Sequence, residues 1–88
     1  MVNPRAVREN LNEWLQNPTW KEYYDEAPSQ LCREYISLDF YASETEDEEA
    51  FKKMDRIIQD LRKEDLQYLY ANAEGPEKKQ YAELIKRM

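Results

Sequence analysis

No histidine occurs anywhere in this chain of 88 residues. Its absence removes the imidazole base, the Ser–His–Asp triad and histidine metal ligands together. Cysteine occurs once, as Cys32, so the chain can form neither an internal disulfide nor a cysteine-only zinc site. A nucleophilic Cys32 would need a base to make the thiolate; without a histidine it reads as a small buried hydrophobe. Glycine also occurs once, as Gly75. Hairpins and phosphate-cradling loops lean on glycine for positive φ angles, so β-rich folds and nucleotide loops are disfavoured. No stretch approaches the roughly 18–20 apolar residues of a membrane span. Met1 to Asn17 lacks the apolar centre of a signal peptide. The expectation is a soluble, cytoplasmic, non-catalytic protein with no cofactor, no metal and no membrane contact.

Charge is abundant but unevenly placed. Charged residues make up 36% of the chain and the formal net charge is −6. Residues 1–21 carry +1, residues 22–49 carry −9, and residues 50–88 carry +2. The acidity therefore belongs to the middle third, and direct attraction to nucleic acid is disfavoured. Two Trp, seven Tyr and two Phe supply the bulk for a core, which argues against disorder.

The four prolines punctuate the chain, and each precedes a run with helical apolar spacing. Asn3-Pro4 and Asn17-Pro18 each place a good N-cap before a proline. A first helix is predicted over 4–16, with Val7, Leu11, Trp14 and Leu15 on one face. A second is predicted over 18–26, with Thr19 and Glu22 as an alternative capping box. A third, over 28–43, carries two apolar stripes: Leu31, Tyr35, Leu38, Ala42 and Cys32, Ile36, Phe40. Such a helix is packed on two sides. Thr45 and Glu48 have the spacing of a capping box before a fourth helix, whose stripe is Phe51, Met54, Ile58 and Leu61 with Ile57 beside it. Residues 62–65 read either as a turn or as continuous helix. Leu66, Leu69, Tyr70 and Ala73 continue a stripe, Gly75 is a left-handed cap, and Pro76 opens a last helix with Tyr81, Leu84, Ile85 and Met88. The prediction is one all-α domain over 1–88, a compact bundle of five or six short helices, orthogonal or up-down.

Three features bear on function. Glu44 to Glu49 contains five acids in six positions. It reads as a docking strip for a basic partner, as a phosphate mimic, or simply as helix-capping acids. It lacks the spacing and central glycine of a calcium loop. The stripe of Cys32, Ile36 and Phe40 is either core or a seam for a partner. Lys52, Lys53, Arg56, Arg62 and Lys63 interleave with acids, at spacings such as Glu49–Lys53 and Arg56–Asp60, and read as a solvated ion-pair face. Catalysis by carboxylates alone needs two of them converging in a cleft, which a bundle this small seldom encloses, and the acids map to helix ends and outer faces.

The functional expectation is a small acidic module that binds another protein, possibly a basic one, or a second copy of itself. Ile36, Phe40, Glu44, Glu46, Asp47 and Glu49 are the candidate partner-binding residues. The alternative is an acidic inhibitor that mimics nucleic acid in a partner's basic site.

Overall fold

Asn3 and Asn17 set the pattern for how this chain starts its helices. Asn3 Oδ1 accepts from the Arg5 N–H at 3.0 Å, and Asn17 Oδ1 from the Thr19 N–H at 2.9 Å. Each satisfies a donor that the first helical turn leaves open, and the following proline has no N–H to satisfy. The computed structural model describes residues 2–88 and contains six helices. They are α1 (Pro4–Trp14), α2 (Pro18–Asp25), α3 (Gln30–Thr45), α4 (Glu48–Asp60), α5 (Lys63–Asn72) and α6 (Pro76–Lys86). The fold is an all-α bundle. Its Cα radius of gyration is 12.5 Å, close to the ~12 Å of a compact chain this long.

Several helix ends differ from the sequence reading. Pro28 does not open α3; Ser29, in an extended conformation, is the N-cap, and its Oγ accepts from the Cys32 N–H at 3.1 Å. Thr45 does not cap α4. It is the last residue of α3, and its hydroxyl donates back to the Tyr41 carbonyl at 2.8 Å. Glu46 closes α3 in the left-handed region at φ 55°, and Asp47 opens α4 by accepting from the Glu49 N–H. Residues 61–62 break the helix, because Leu61 and Arg62 are both extended. Gly75 has the positive φ expected of it, but its ψ of −141° is not left-handed helical, and it opens α6 rather than closing α5.

α3 is the central element. Both stripes lie inside: Tyr35, Leu38 and Ala42 on one side, Cys32, Ile36 and Phe40 on the other, with Leu31 half-buried. α4 packs on it through Ala50, Met54, Ile57 and Ile58. Phe51, expected in that stripe, is 45% exposed, since the inward side of α4 is centred nearer Met54 and Ile57. α1 and α2 bury no residue fully; α1 covers α3 with half-buried Val7, Leu11 and Trp14. The α5–α6 pair is fastened by long phenols. The Tyr68 hydroxyl donates to the Tyr23 carbonyl, and the Tyr35 and Tyr81 hydroxyls meet at 3.1 Å.

Candidate functional site

The structure separates the six residues that the sequence put forward. Ile36 is 1% exposed and Phe40 3%. Neither presents a seam to a partner, because α1, α2 and α4 cover both sides of α3. Of the two readings of that stripe, core or seam, the burial matches core, and Ile36 and Phe40 are not exposed partner contacts. Glu44 accepts from the Trp14 indole N–H at 3.0 Å and from the Asn10 side chain, tying α1 to the end of α3. Asp47 is the cap of α4, and Glu46 the left-handed close of α3. Glu49 lies 3.8 Å from the Lys52 ammonium. The Glu44 and Asp47 side chains and the Glu46 backbone therefore have work within the fold. The ion pairs anticipated for Glu49–Lys53 and Arg56–Asp60 are replaced by Lys52–Glu49; all three ion pairs among the described residues are exposed and stabilise little.

A different site emerges around Trp20, which is 39% exposed. Trp14 from α1 stacks on Phe40 of α3 with ring centroids 4.3 Å apart and planes within 5°. Trp20 from α2 meets both rings edge-on at 5.3 and 5.5 Å. Tyr23 extends the cluster toward Tyr68, on which it stacks at 5.5 Å. These aromatic rings form a wall of a cavity of about 470 Å³, completed by Asp39 and Ser43 of α3, the α5–α6 turn and Glu77 of α6. Its volume lies within the range of ligand sites, roughly 300–1,000 Å³. Phe40 thus contributes to a site after all, as part of its wall rather than as a protruding contact.

The lining of this cavity includes three carboxylates, Asp39, Glu74 and Glu77, and no lysine or arginine. Two adjoining hollows share Trp20 with it. One adds Glu22 and Glu26, the other Glu13 and Glu44, and neither contains a base. Seven acids thus surround one indole without an internal counter-charge. The hollows beside α4 are mixed, with Lys53 in both and Arg56 in one. The seven are drawn from every helix except α4 and α5 and from the α5–α6 turn, so no local run in the sequence displays them together.

Asp39 is the unusual member. Burial, and then the nearby Glu77, push its carboxyl up to about 6. The groups facing it are acidic or phenolic: Glu77 and Tyr81 from α6, Tyr23 from α2 and Tyr35 from its own helix. Burial holds the Tyr35 phenol up at about 12, and also raises Tyr23 and Tyr81. Cys32 is fully buried and its thiol is held up at about 12, chiefly by burial, which makes it inert.

Asp39 makes stability fall with rising pH. Its folded pKa exceeds its unfolded one of 3.8, so the folded state holds the extra proton between those values and stability declines as pH rises through about 6. Asp39→Asn is expected to stabilise the protein by about 1–3 kcal/mol at pH 7.5. At pH 4 the difference should shrink toward zero. Urea midpoints of both proteins at the two pH values test this; a gap that is the same at both would refute it.

The arrangement concentrates negative potential in a partly desolvated aromatic setting, which attracts cations. It also corrects the expectation that the acids lie only on helix ends and outer faces. No protein-family model matches this chain, and neither do any curated proteins or solved structures.

Proposed function

We propose that this chain is a non-catalytic protein-binding module whose recognition surface is the acidic, aromatic face around Trp20, and whose partner presents basic side chains to it. The observation that carries the reading is the set of seven carboxylates around Trp20 with no basic residue among them. A tryptophan at the centre of a charged rim is the composition of an interface hot spot. Two copies meeting through this same face would bring acids against acids, and nucleic acid would bring phosphates, so both arrangements are repelled. The phosphate-mimic alternative draws little from the 44–49 strip, where Glu44 and Asp47 are held by bonds within the chain. The free thiol of Cys32 suits the cytoplasmic setting we assign to the module.

Fluorescence anisotropy with a labelled peptide of alternating arginine or lysine and serine tests this. Trp20→Ala, and the pair Glu22→Gln with Glu77→Gln, are each expected to weaken binding about tenfold. Glu46→Gln with Glu49→Gln should change it less than about twofold, and added salt should weaken binding throughout. Affinity that depends on Glu46 and Glu49 but not on Trp20 would sink the assignment.

One observation favours a second reading. A raised carboxyl at Asp39 beside Glu77 is the minimum equipment for general acid–base chemistry. Against it, the cavity contains no lysine or arginine to stabilise developing negative charge. Turnover of a glycoside or ester abolished by Asp39→Asn would establish catalysis over binding.

A further inference from the structure

We infer that the cavity beside Trp20 is a receptor for one guanidinium group, the side chain of an arginine on the protein partner, seated between Asp39 and Glu77 against the aromatic wall. This inference rests on the proposed function for the source of the arginine, but not for the chemistry of the cavity.

The size and spacing of the site select the kind of cation. Among the described residues no three acidic or thiol groups converge closely enough to hold a metal ion. The carboxylates are instead distributed around a space of about 470 Å³, which suits a larger, diffuse cation. Asp39 and Glu77 come from different helices and both line the cavity, where burial and then the nearby Glu77 raise the Asp39 carboxyl. A guanidinium has five donors in a planar fork and can bridge two carboxylates at once. It is also more weakly hydrated than an ammonium, so it loses less on entering a partly dry, ring-lined site. Trp20, 39% exposed, supplies a π-system for its plane beside the Trp14–Phe40 stack.

The chain does not fill this position itself. Lys78, next to Glu77 in sequence, has its ammonium 4.8 Å from the centre of the Tyr70 ring. Arg33, the only base among residues 22–49, donates to the Ala27 carbonyl and the Gln30 side chain. Asp39 takes part in none of the ion pairs among the described residues.

The test is an NMR titration of the full ¹⁵N-labelled chain at pH 7.5. The probes are an acetylated and amidated Gly-Arg-Gly peptide, its Gly-Lys-Gly counterpart, and ethylguanidinium chloride. The arginine peptide is expected to shift the indole N–H signals of Trp14 and Trp20 saturably. The lysine peptide should bind roughly threefold or more weakly. Asp39→Asn should weaken the arginine peptide by roughly fivefold or more, whereas Asp60→Asn on α4 should leave it within about twofold. Equal binding of lysine and arginine, no saturable shift at the two indoles, or an Asp39→Asn variant that binds as wild type would each overturn the inference. Binding of ethylguanidinium with exclusion of the arginine peptide would also overturn it, by making the site one for a free small molecule. The two readings fail separately. Basic-peptide affinity that depends on Trp20, without a guanidinium signal, removes the receptor and leaves the module. Saturable guanidinium binding without affinity for any basic peptide does the reverse.

Discussion

Phe40→Ala will cost about 3–5 kcal/mol of folding stability. The side chain is 3% exposed and stacks against Trp14 at 4.3 Å. Removing it leaves a cavity beneath two tryptophans, which keep only edge-on contacts, with each other and from Trp20 to Tyr23. The lost transfer energy, the cavity and the lost stacking all act in one direction. A domain of this length has roughly 4–13 kcal/mol in total, so much of its stability goes. The thermal midpoint should fall by upwards of about 15 °C. Phe40→Leu keeps most of the volume and should cost less than about 1.5 kcal/mol. Urea unfolding of the two variants checks the ranking; a Phe40→Ala protein within 1 kcal/mol of wild type, on the scale expected for an exposed position, would show that Phe40 is not the core residue described here. The same result governs how the site is probed. Loss of binding in Phe40→Ala would reflect unfolding, which is why Trp20 and Asp39 carry the binding tests.

Much of the fold was legible because its signals are local. Asn-Pro pairs, apolar stripes and the two-sided third helix each lie within one helix length, and the physics that reads them is the physics that forms them. Two of the misplaced helix starts share one cause: two good start signals competed for one position. Ser29 displaced Pro28, and Asp47 displaced Thr45, in both cases through a side-chain oxygen reaching a backbone N–H two or three residues on. The site was less legible because it is assembled from residues far apart, such as Trp20, Asp39 and Glu77. One signal was present. At about 100° per residue, Asp39 falls on the arc between Tyr35 and Ile36, inside the apolar side of α3. A lone acid on a buried helix face marks a position where charge is tolerated for some reason beyond folding. The acidic run of 44–49 drew notice because it is dense, but density in sequence is what helix ends produce when one helix closes and another opens.

Asp65 was hidden more completely, and its replacement is the second large effect. In sequence it is half of a Glu64-Asp65 pair that resembles any solvated helix start. In the fold it is 2% exposed, and each oxygen has its own donor. Oδ2 accepts from the Arg62 N–H at 3.0 Å, and Oδ1 from the Ser29 hydroxyl at 2.9 Å. Ser29 in turn caps α3. One carboxylate therefore joins the starts of α3 and α5, aided by the positive end of the α5 dipole. Asp65→Ala removes two bonds to a charged acceptor and leaves the Ser29 hydroxyl without its partner, while Arg62 is exposed enough for water to replace its bond. The net loss should be about 2–4 kcal/mol. Asp65→Asn keeps the shape and one acceptor but turns a donor toward the other contact, so it should cost about half as much. The joint between helices, rather than a lone cap, is tested by pairing Asp65→Ala with Ser29→Ala. Shared contact predicts that the double variant loses less than the two single losses added, by about 1 kcal/mol. Strict additivity would mean that each residue caps only its own helix and that the two starts are not coupled through Asp65.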